Sequence, residues 1–326
     1  MKRRAFGAWA ATSALGVGTT SIPVRAASPA RIAWISASSA DARSTFRDAL
    51  KLGLKERGRF EGRDYVLEEH WGDGSPERSD PLVAEMLRSK PDLIVSQGPV
   101  LLNVQRSQTS LPVLFSYSGD PVEARLVDSL ARPGRNLSGI TMMALELVGK
   151  RMEALAEAVP GLQKVAIISN PAHAGEQGEF KASQAAAVTL GLQIEYLPFQ
   201  SENGLDAALA AALRSRSQAL MVFPDGGMMR RSEQFAEFAS QNRMPAASGW
   251  AEFARRGNLL SYGPNVRQVY RRLASYVDRV LRGTKPADLP IELPTVIEHV
   301  INLRAARAMG MVIPRSALLR ADELIE

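Results

Sequence analysis

Short apolar runs alternate with amphipathic segments along most of the chain. Residues 31–36 and 91–96 are apolar runs of the kind found in buried parallel strands. Segments 42–57 and 76–89 instead repeat apolar side chains close to every 3.6 positions, which predicts helices. Strands that alternate with helices are typical of parallel sheets with helices on both faces. The pattern therefore predicts an α/β protein.

The same order of elements begins again after Thr141. Apolar runs at 164–169, 192–199 and 219–224 alternate with helical segments, the last of them the strongly amphipathic 268–281. The repeat is one of pattern only, because the two halves share no residue-level identity. Two α/β halves of similar size predict two doubly wound lobes with a cleft between them.

Residues 111–141 hold the predicted passage from one lobe to the other. An apolar strand at 111–117 is followed by Gly119-Asp120-Pro121 and a predicted helix at 122–130. A Pro/Gly/Asn segment then leads to a second short strand. Ligands of open α/β sheets bind beyond the carboxyl ends of the strands. We therefore expect Asp120 to lie where a ligand binds.

The first 27 residues differ in kind from the rest. Residues 2–4 are basic, residues 5–18 form a short, weakly apolar core, and 24–26 fit a small-x-small cleavage site. This predicts a secretory signal peptide, residues 1–26, cleaved after about Ala26, with Ala27 as the alternative and an ordinary disordered terminus as the competing interpretation. Arg3-Arg4 is also compatible with twin-arginine export, and the choice between the two routes stays open.

Composition indicates a soluble exported protein. Hydrophobic residues make up 45% and charged residues 23%, as in ordinary globular chains. Removing the four basic residues of the leader lowers the formal charge from +6 to +2, which argues against a nucleic-acid binder. Cysteine is absent, so neither disulfides nor a lipid-modified cysteine are expected. The expected location is the periplasm, without membrane insertion of the mature chain.

The sequence lacks the common catalytic and metal-binding patterns. It has no Gly-x-Ser-x-Gly elbow, no phosphate-binding loop and no Gly-x-Gly-x-x-Gly after the first strand. The three histidines, His70, His173 and His299, lack the paired spacing of metal ligands. We therefore expect a protein that binds without turnover and needs no cofactor or metal.

Predicted strand ends carry small or polar groups that suit an anionic or zwitterionic small ligand. Each has a structural alternative: a capping box with Glu123 for Asp120, simple turns for Asn170 and Asp225, and packing for Tyr117 and Trp250. The ligand-binding candidates are Ser38, Ser39, Gln97, Gly98, Tyr117, Asp120, Thr141, Asn170, Asp225 and Trp250.

Several spaced stretches match a known family over about residues 31–326. They include GRDYVLEEHW at 62–71, KPDLIVSQG at 90–98, GDPV at 119–122, LARPGRNLSG at 130–139, GKR at 149–151, SYGP at 261–264, YVDRVLRG at 276–283, KPADLP at 285–290 and VINL at 300–303. The chain resembles the solute-binding proteins of ABC transporters, in the TrpX-like group related to tryptophan and tyrosine binders.

The resemblance implies a type I periplasmic-binding-protein fold, with two doubly wound parallel-sheet lobes, three crossovers and a hinged cleft. It places the N-terminal lobe at 31–142 plus 263–290, the C-terminal lobe at 143–262 plus 291–302 and a tail at 303–326. It also implies a monomer that delivers a small ligand to an inner-membrane permease and ATPase. The alternative is a periplasmic sensor that presents its ligand state to a membrane kinase or receptor.

Two strand ends depart from the family pattern. The family's aromatic amino acid ligands therefore cannot simply be assigned to this chain. Residues 169–173 read Ser-Asn-Pro-Ala-His where Trp-Asn-Pro-Ala-Asn is common, and 141–143 read Thr-Met-Met where Ser-Asn-Leu is common. For an amino acid ligand we expect Asp120 to pair with the ammonium group. The carboxylate would be held by Ser38, Ser39, Gln97 and Gly98, with Asn170, Asp225 and Trp250 closing from the other lobe.

Overall fold

The structure of the protein is a computed structural model. It describes residues 28–38, 45–73, 76–142, 145–171, 173, 175–199 and 204–326. The leader predicted for residues 1–26 and the candidate Ser39 lie outside these ranges.

The first sheet has five parallel strands in the order β2-β1-β3-β4-β5. Most of their side chains are buried on both faces, as the apolar runs predicted. The strands are β1 (Ala30–Ser36), β2 (Tyr65–Trp71), β3 (Leu93–Gln97), β4 (Val113–Tyr117) and β5 (Leu137–Thr141).

The second sheet has seven strands, β6 (Lys164–Ser169), β7 (Gln193–Pro198), β8 (Ala219–Val222), β9 (Ala246–Ser248), β10 (Leu260–Pro264), β11 (Ile297–Asn302) and β12 (Glu323–Ile325). Their order is β12-β11-β10-β9-β8-β6-β7, and every pairing is parallel except β10 with β11. Residues 303–326, predicted as a tail, thus include a strand that pairs with β11.

Twelve α-helices lie in the described ranges: α1 (Thr45–Lys55), α2 (Ser79–Arg88), α3 (Val100–Arg106), α4 (Glu146–Ala158), α5 (Glu176–Leu190), α6 (Gly204–Arg214), α7 (Gly226–Arg230), α8 (Ser232–Asn242), α9 (Ala251–Arg255), α10 (Val266–Leu281), α11 (Leu303–Ala308) and α12 (Arg315–Arg320). The long ones were predicted from periodicity. The short α7, α9 and α12 were not, because five or six residues are too few to show a helical period.

The helix predicted for 122–130 is wrong, since these residues form turns up to Arg125 and irregular bends after it. The capping interaction itself is present: one carboxylate oxygen of Asp120 accepts the backbone N–H groups of Val122 (2.7 Å) and Glu123 (3.1 Å). The chain then leaves the right-handed helical region at Arg125, whose φ is +56°. The turn is therefore started by Asp120 and ended by Arg125 before a regular helix can form.

Helix α10 follows a strand of the second sheet but packs on the first. It lies along α1 so closely that a Cβ placed on Gly53 would be 2.7 Å from the Ala274 Cβ. It also contacts β4 and β5, and Asp278 near its end accepts a hydrogen bond from Arg59 at 2.8 Å. The first lobe is thus completed by a helix from late in the chain.

The chain passes between the two sheets three times: between β5 and α4, at Asn265 and at 292–296. The last is tied to β5, because the Thr141 N–H donates to the Glu292 carbonyl (3.0 Å) and the Glu292 N–H to the Gly139 carbonyl (3.2 Å). The Asn265 N–H donates to the Val296 carbonyl at 2.9 Å, which joins two of the passages. The exact lobe boundaries stay a prediction.

Glu292 should make stability sensitive to acid. Hydrogen bonds from Arg272, at 2.6 and 2.7 Å, hold the pKa of the Glu292 carboxyl below its usual range. A lowered pKa stabilises the fold above the unfolded value of about 4.3, and this contribution is lost as pH falls through the native value. Glu292→Gln should therefore lower the urea midpoint at pH 7 and change it progressively less toward pH 3.

A matched control for that variant is Glu153→Gln. Glu153 pairs with Lys150 at 2.8 Å on an exposed surface, where an ion pair contributes about 0–1 kcal/mol. Its midpoint should follow that of the wild type at both pH values. An equal loss for Glu292→Gln at pH 7 and pH 3 would contradict a role for the charge.

Candidate functional site

The carboxyl ends of the strands meet at one edge in each sheet. In the first sheet Ser36 pairs in register with Gln97, and Tyr117 pairs with Thr141. In the second sheet β6, β8 and β9 run parallel and end at Ser169, Val222 and Ser248. Backbone N–H groups and polar side chains after the strands are therefore gathered along both edges.

The two edges face each other, as contacts between the lobes show. The Ser118 hydroxyl lies 2.6 Å from Nε2 of His173, and an Arg230 N–H donates to the Ser38 hydroxyl at 3.4 Å. The rings of Phe46 and Trp250 meet edge to face with their centroids 6.3 Å apart. A cleft between the sheets is thus bounded by residues from both.

Ser38, Gln97 and Gly98 lie together at the first edge. Ser38 follows β1 and its N–H donates to the Ser36 hydroxyl at 3.1 Å. Gly98 has φ +72°, a conformation that glycine adopts without strain, and its N–H donates to the Ser116 carbonyl. Ser38, Gln97 and Gly98 are each partly exposed, so they can reach a molecule in the cleft.

Tyr117, Asp120 and Thr141 follow along the same edge in different environments. Tyr117 is 2% exposed and packs edge to face on Phe115, and burial followed by the charge of Asp120 raises its pKa to about 12. Thr141 is buried and donates to the Gly119 carbonyl at 3.0 Å. Asp120 is partly exposed and caps the turn after it. Of the three, only Asp120 offers a charge to the cleft.

The second edge carries Asn170, Asp225 and Trp250. Asn170 is partly exposed, and its carbonyl accepts the His173 N–H at 2.9 Å. Asp225 is 6% exposed and caps α7, its Oδ1 accepting the Met228 N–H at 2.8 Å. Trp250 is 5% exposed and leads into α9. These candidates lie close to the interlobe contacts of His173, Arg230 and Phe46.

Three residues were not among the candidates: His173, which lies at the second edge, and Arg151 and Glu179, which lie behind it. Arg151 and Glu179 form a buried pair, with Nη1 of Arg151 3.4 Å from Oε2 of Glu179. Burial raises the pKa of Glu179, while the charges of Arg151 and His173 act in the opposite direction and that of Asp225 adds to the rise. Glu179 therefore interacts electrostatically with both His173 and Asp225.

The tautomer of His173 follows from its two neighbours. Its Nδ1 accepts the Gly175 N–H at 3.3 Å, so the hydrogen of a neutral ring lies on Nε2 and is donated to the Ser118 hydroxyl. The contact joins the loop after β4 to the loop after β6. A sequence signal existed, since His173 stands at a strand end.

An aromatic cluster lies beneath the first edge and reaches the second. Tyr270 is stacked on Phe46 at 5.3 Å and contacts Trp34 at 5.4 Å, and Trp34 contacts Trp71 at 6.3 Å. Burial raises the pKa of Tyr270 well above its usual range. Through Phe46 the cluster touches Trp250, so the packing of the first lobe is connected to the cleft wall of the second.

Two features of other protein classes are absent from the residues that the structure describes. No helix there is long and apolar enough to cross a membrane. The side chains described also include no group of three or more His, Cys, Asp or Glu that could hold a metal ion.

The family model for ABC transporter substrate binding proteins matches residues 31–325. The chain belongs to this family. The resemblance inferred from its motifs is thereby confirmed.

Individual relatives are distant in sequence and similar in fold. The tyrosine-binding protein of Clostridioides difficile (strain R20291) is 20% identical over 259 residues, 79% of this chain and 74% of the relative. A conserved domain protein of Vibrio cholerae has a TM-score of 0.84 at 24% identity over 90% of this chain and 99% of that one. The L-Trp complex of an ABC domain from Streptococcus pneumonia also has 0.84, at 21% identity over 91% and 100%.

These similarities confirm the predicted fold. The two sheets of mainly parallel strands, with helices on both faces, form a type I periplasmic-binding-protein fold. The family is one of ABC transporter substrate binding proteins. Because the sequence identities are below 25%, the ligands of the relatives are not transferred to this chain.

Proposed function

We propose that this protein is the periplasmic solute-binding component of an ABC importer. It captures an amino acid or a related small carboxylate in the interlobe cleft and delivers it to the permease without chemical turnover. The observation that supports this most directly is the pair of facing strand-end edges, bridged by Ser118 and His173, in a chain of the substrate-binding family. Closure of the two lobes over the ligand would create the surface that the permease recognises.

The proposed ligand class follows from the groups at the two edges. The first edge offers the Ser38 hydroxyl and the Gln97 amide, which are neutral donors suited to a carboxylate, and Gly98 lies beside them without a side chain that would block a ligand. Ser39, predicted with them from the sequence, lies outside the described residues. Asp120 adds a carboxylate, which favours an ammonium group on the same ligand. A zwitterion such as a free amino acid uses both, with Asn170, Asp225 and Trp250 closing from the second lobe.

Asp120→Asn tests the proposed ammonium contact. An asparagine oxygen can accept the same backbone N–H groups of Val122 and Glu123, so the turn should be kept while the charge is lost. We expect the affinity for an amino acid ligand to fall at least about tenfold, or about 1.4 kcal/mol, by titration calorimetry. Asp206→Asn, at an exposed position where the aspartate accepts from Gln234, is the matched control and should bind like the wild type. Equal affinity in both variants would remove Asp120 from the site.

The function itself is tested by a ligand panel on the mature chain beginning at Ala27. Native mass spectrometry is applied to the protein as purified and after addition of L-tryptophan, L-tyrosine, other amino acids, small carboxylates, sugars and nucleosides. A bound mass should be accompanied by a rise in the unfolding midpoint, corresponding to about 2.7 kcal/mol at 100 times the Kd. If no compound binds, the proposal of an importer component fails.

A further inference from the structure

We propose that Arg151 is a positioning residue of the binding cleft. It holds the turn at Gly249 and Trp250 and the carboxylate of Glu179 in place, and it acts on the ligand through them without touching it. This inference rests on the proposed function of the cleft.

Arg151 is an unusual residue at a helical core position. It lies on α4 at 3% exposure, between the buried Val148 and Leu155. Its Nε–H donates to the Tyr262 carbonyl at 3.0 Å, and Nη1 lies 3.4 Å from Glu179. Burying such a pair costs desolvation energy, and apolar residues of the same size often stabilise a fold at least as well. Stability alone therefore does not explain an arginine here.

The guanidinium lies directly against the backbone that leads into Trp250. A Cβ placed on Gly249 would be 2.6 Å from Nη2 of Arg151 and 2.7 Å from Cγ of Pro224. From the other side, a Cβ placed on Gly263 would be 2.0 Å from the Gly249 carbonyl oxygen. Gly249 is thus enclosed between the arginine and β10, and its position fixes where the next residue enters the cleft.

The contact of Arg151 with Glu179 connects the arginine to charged residues of the cleft. Glu179 interacts electrostatically with both His173 and Asp225, and both lie at the second edge. One guanidinium therefore connects α4, the strand β10 that leads out of the lobe, the turn before α9 and the carboxylate on α5. Its planar fork of N–H donors can serve these directions together, whereas a lysine ammonium cannot.

The test separates positioning from charge balance with two variants. Arg151→Met combined with Glu179→Gln removes both charges, so no uncompensated ion is buried. Arg151→Lys keeps the charge and loses the planar fork. The unfolding midpoint, affinity for the ligand identified by the amino acid panel, and amide hydrogen exchange of ligand-free protein are measured for each. If the double variant does not fold, Arg151→Lys is judged by the same measurements.

We expect both variants to lose affinity at least tenfold, with faster exchange in peptides covering 248–252 and 260–264 and unchanged exchange in β1, β3 and β4. Loss of affinity in strict proportion to loss of stability, or unchanged exchange at 248–252, would overturn the role. The exchange experiment needs no ligand. If the wild type binds nothing in the panel, the proposed function fails, and local exchange still decides whether Arg151 positions this wall.

Discussion

Replacing Gly263 with alanine should strongly destabilise the protein and disrupt the cleft. The new methyl group would lie 2.0 Å from the Gly249 carbonyl oxygen and 2.9 Å from its carbon. Both atoms belong to the backbone, so no side-chain rotation can relieve the contact, and β9 and β10 must separate. Overpacking of this kind costs about 3 kcal/mol or more when the backbone has to move. Urea unfolding of Gly263→Ala should show this loss.

The same chain offers a matched glycine-to-alanine control. Gly149 lies inside α4, and a Cβ there would be 4.0 Å from the Ala186 Cβ, in ordinary contact. Alanine forms helices better than glycine, so Gly149→Ala should be stabilising by up to about 1 kcal/mol. If Gly263→Ala unfolds at the same urea concentration as the wild type, the close approach of the two strands does not govern stability.

Trp34→Ala should be the other large loss, at about 3–5 kcal/mol. Trp34 is completely buried on β1, an interior strand of the first sheet, and its ring contacts both Tyr270 and Trp71. Its removal leaves a cavity between β1 and α10, and the cost includes the lost packing and the unfilled volume. Chemical denaturation followed by circular dichroism measures the difference.

Trp71→Ala is the control for that experiment, because it removes the same type of side chain from a less buried position. Trp71 is only half-buried at the end of an edge strand and contacts Trp34 at 6.3 Å. Because less apolar area leaves water, its truncation should cost about half as much or less. Equal losses for Trp34→Ala and Trp71→Ala would show that the aromatic cluster is not organised around the buried ring.

Periodicity along the chain predicted most strands and long helices, because the required information is local. The apolar runs of β3 and β4 and the amphipathic pattern of α10 each reflect burial that neighbouring residues already specify. The helix predicted for 122–130 was wrong because that prediction, too, used only local information. Asp120 does cap the turn, as expected for the start of a helix. The neighbouring residues do not predict the left-handed conformation of Arg125, which ends the turn.

The ligand-binding candidates were predicted from strand ends, whereas Arg151 and Glu179, which pack behind the second edge, were not predicted. Ser38, Gln97 and Asp120 follow strands of one sheet, so parallel topology alone places them on one edge. Arg151 and Glu179 lie on helices as charged members of buried stripes, at spacings of three or four from Val148, Leu155 and Ser183. A charged residue inside such a stripe was the available signal.

Contacts between the lobes could not be derived from sequence patterns. Ser38 and Arg230 are 192 positions apart, and Ser118 and His173 are 55 apart. Their proximity depends on how the three connecting passages orient the two sheets. Local propensity carries no information about that orientation, so these pairs were visible only in the assembled structure.

The interleaved course of the chain has a consequence for biosynthesis. While the ribosome is still making the second sheet, the first has β1 to β5 but not α10, so the apolar surface beneath Trp34 and Leu50 has no cover. The second sheet likewise stays incomplete until β11, the partner of β10, has been synthesised. Contacts between such distant segments slow folding. Neither sheet, with the helices that cover it, is complete within one contiguous stretch of the chain, so we expect apolar surface to stay uncovered until α10 and β11 have been synthesised.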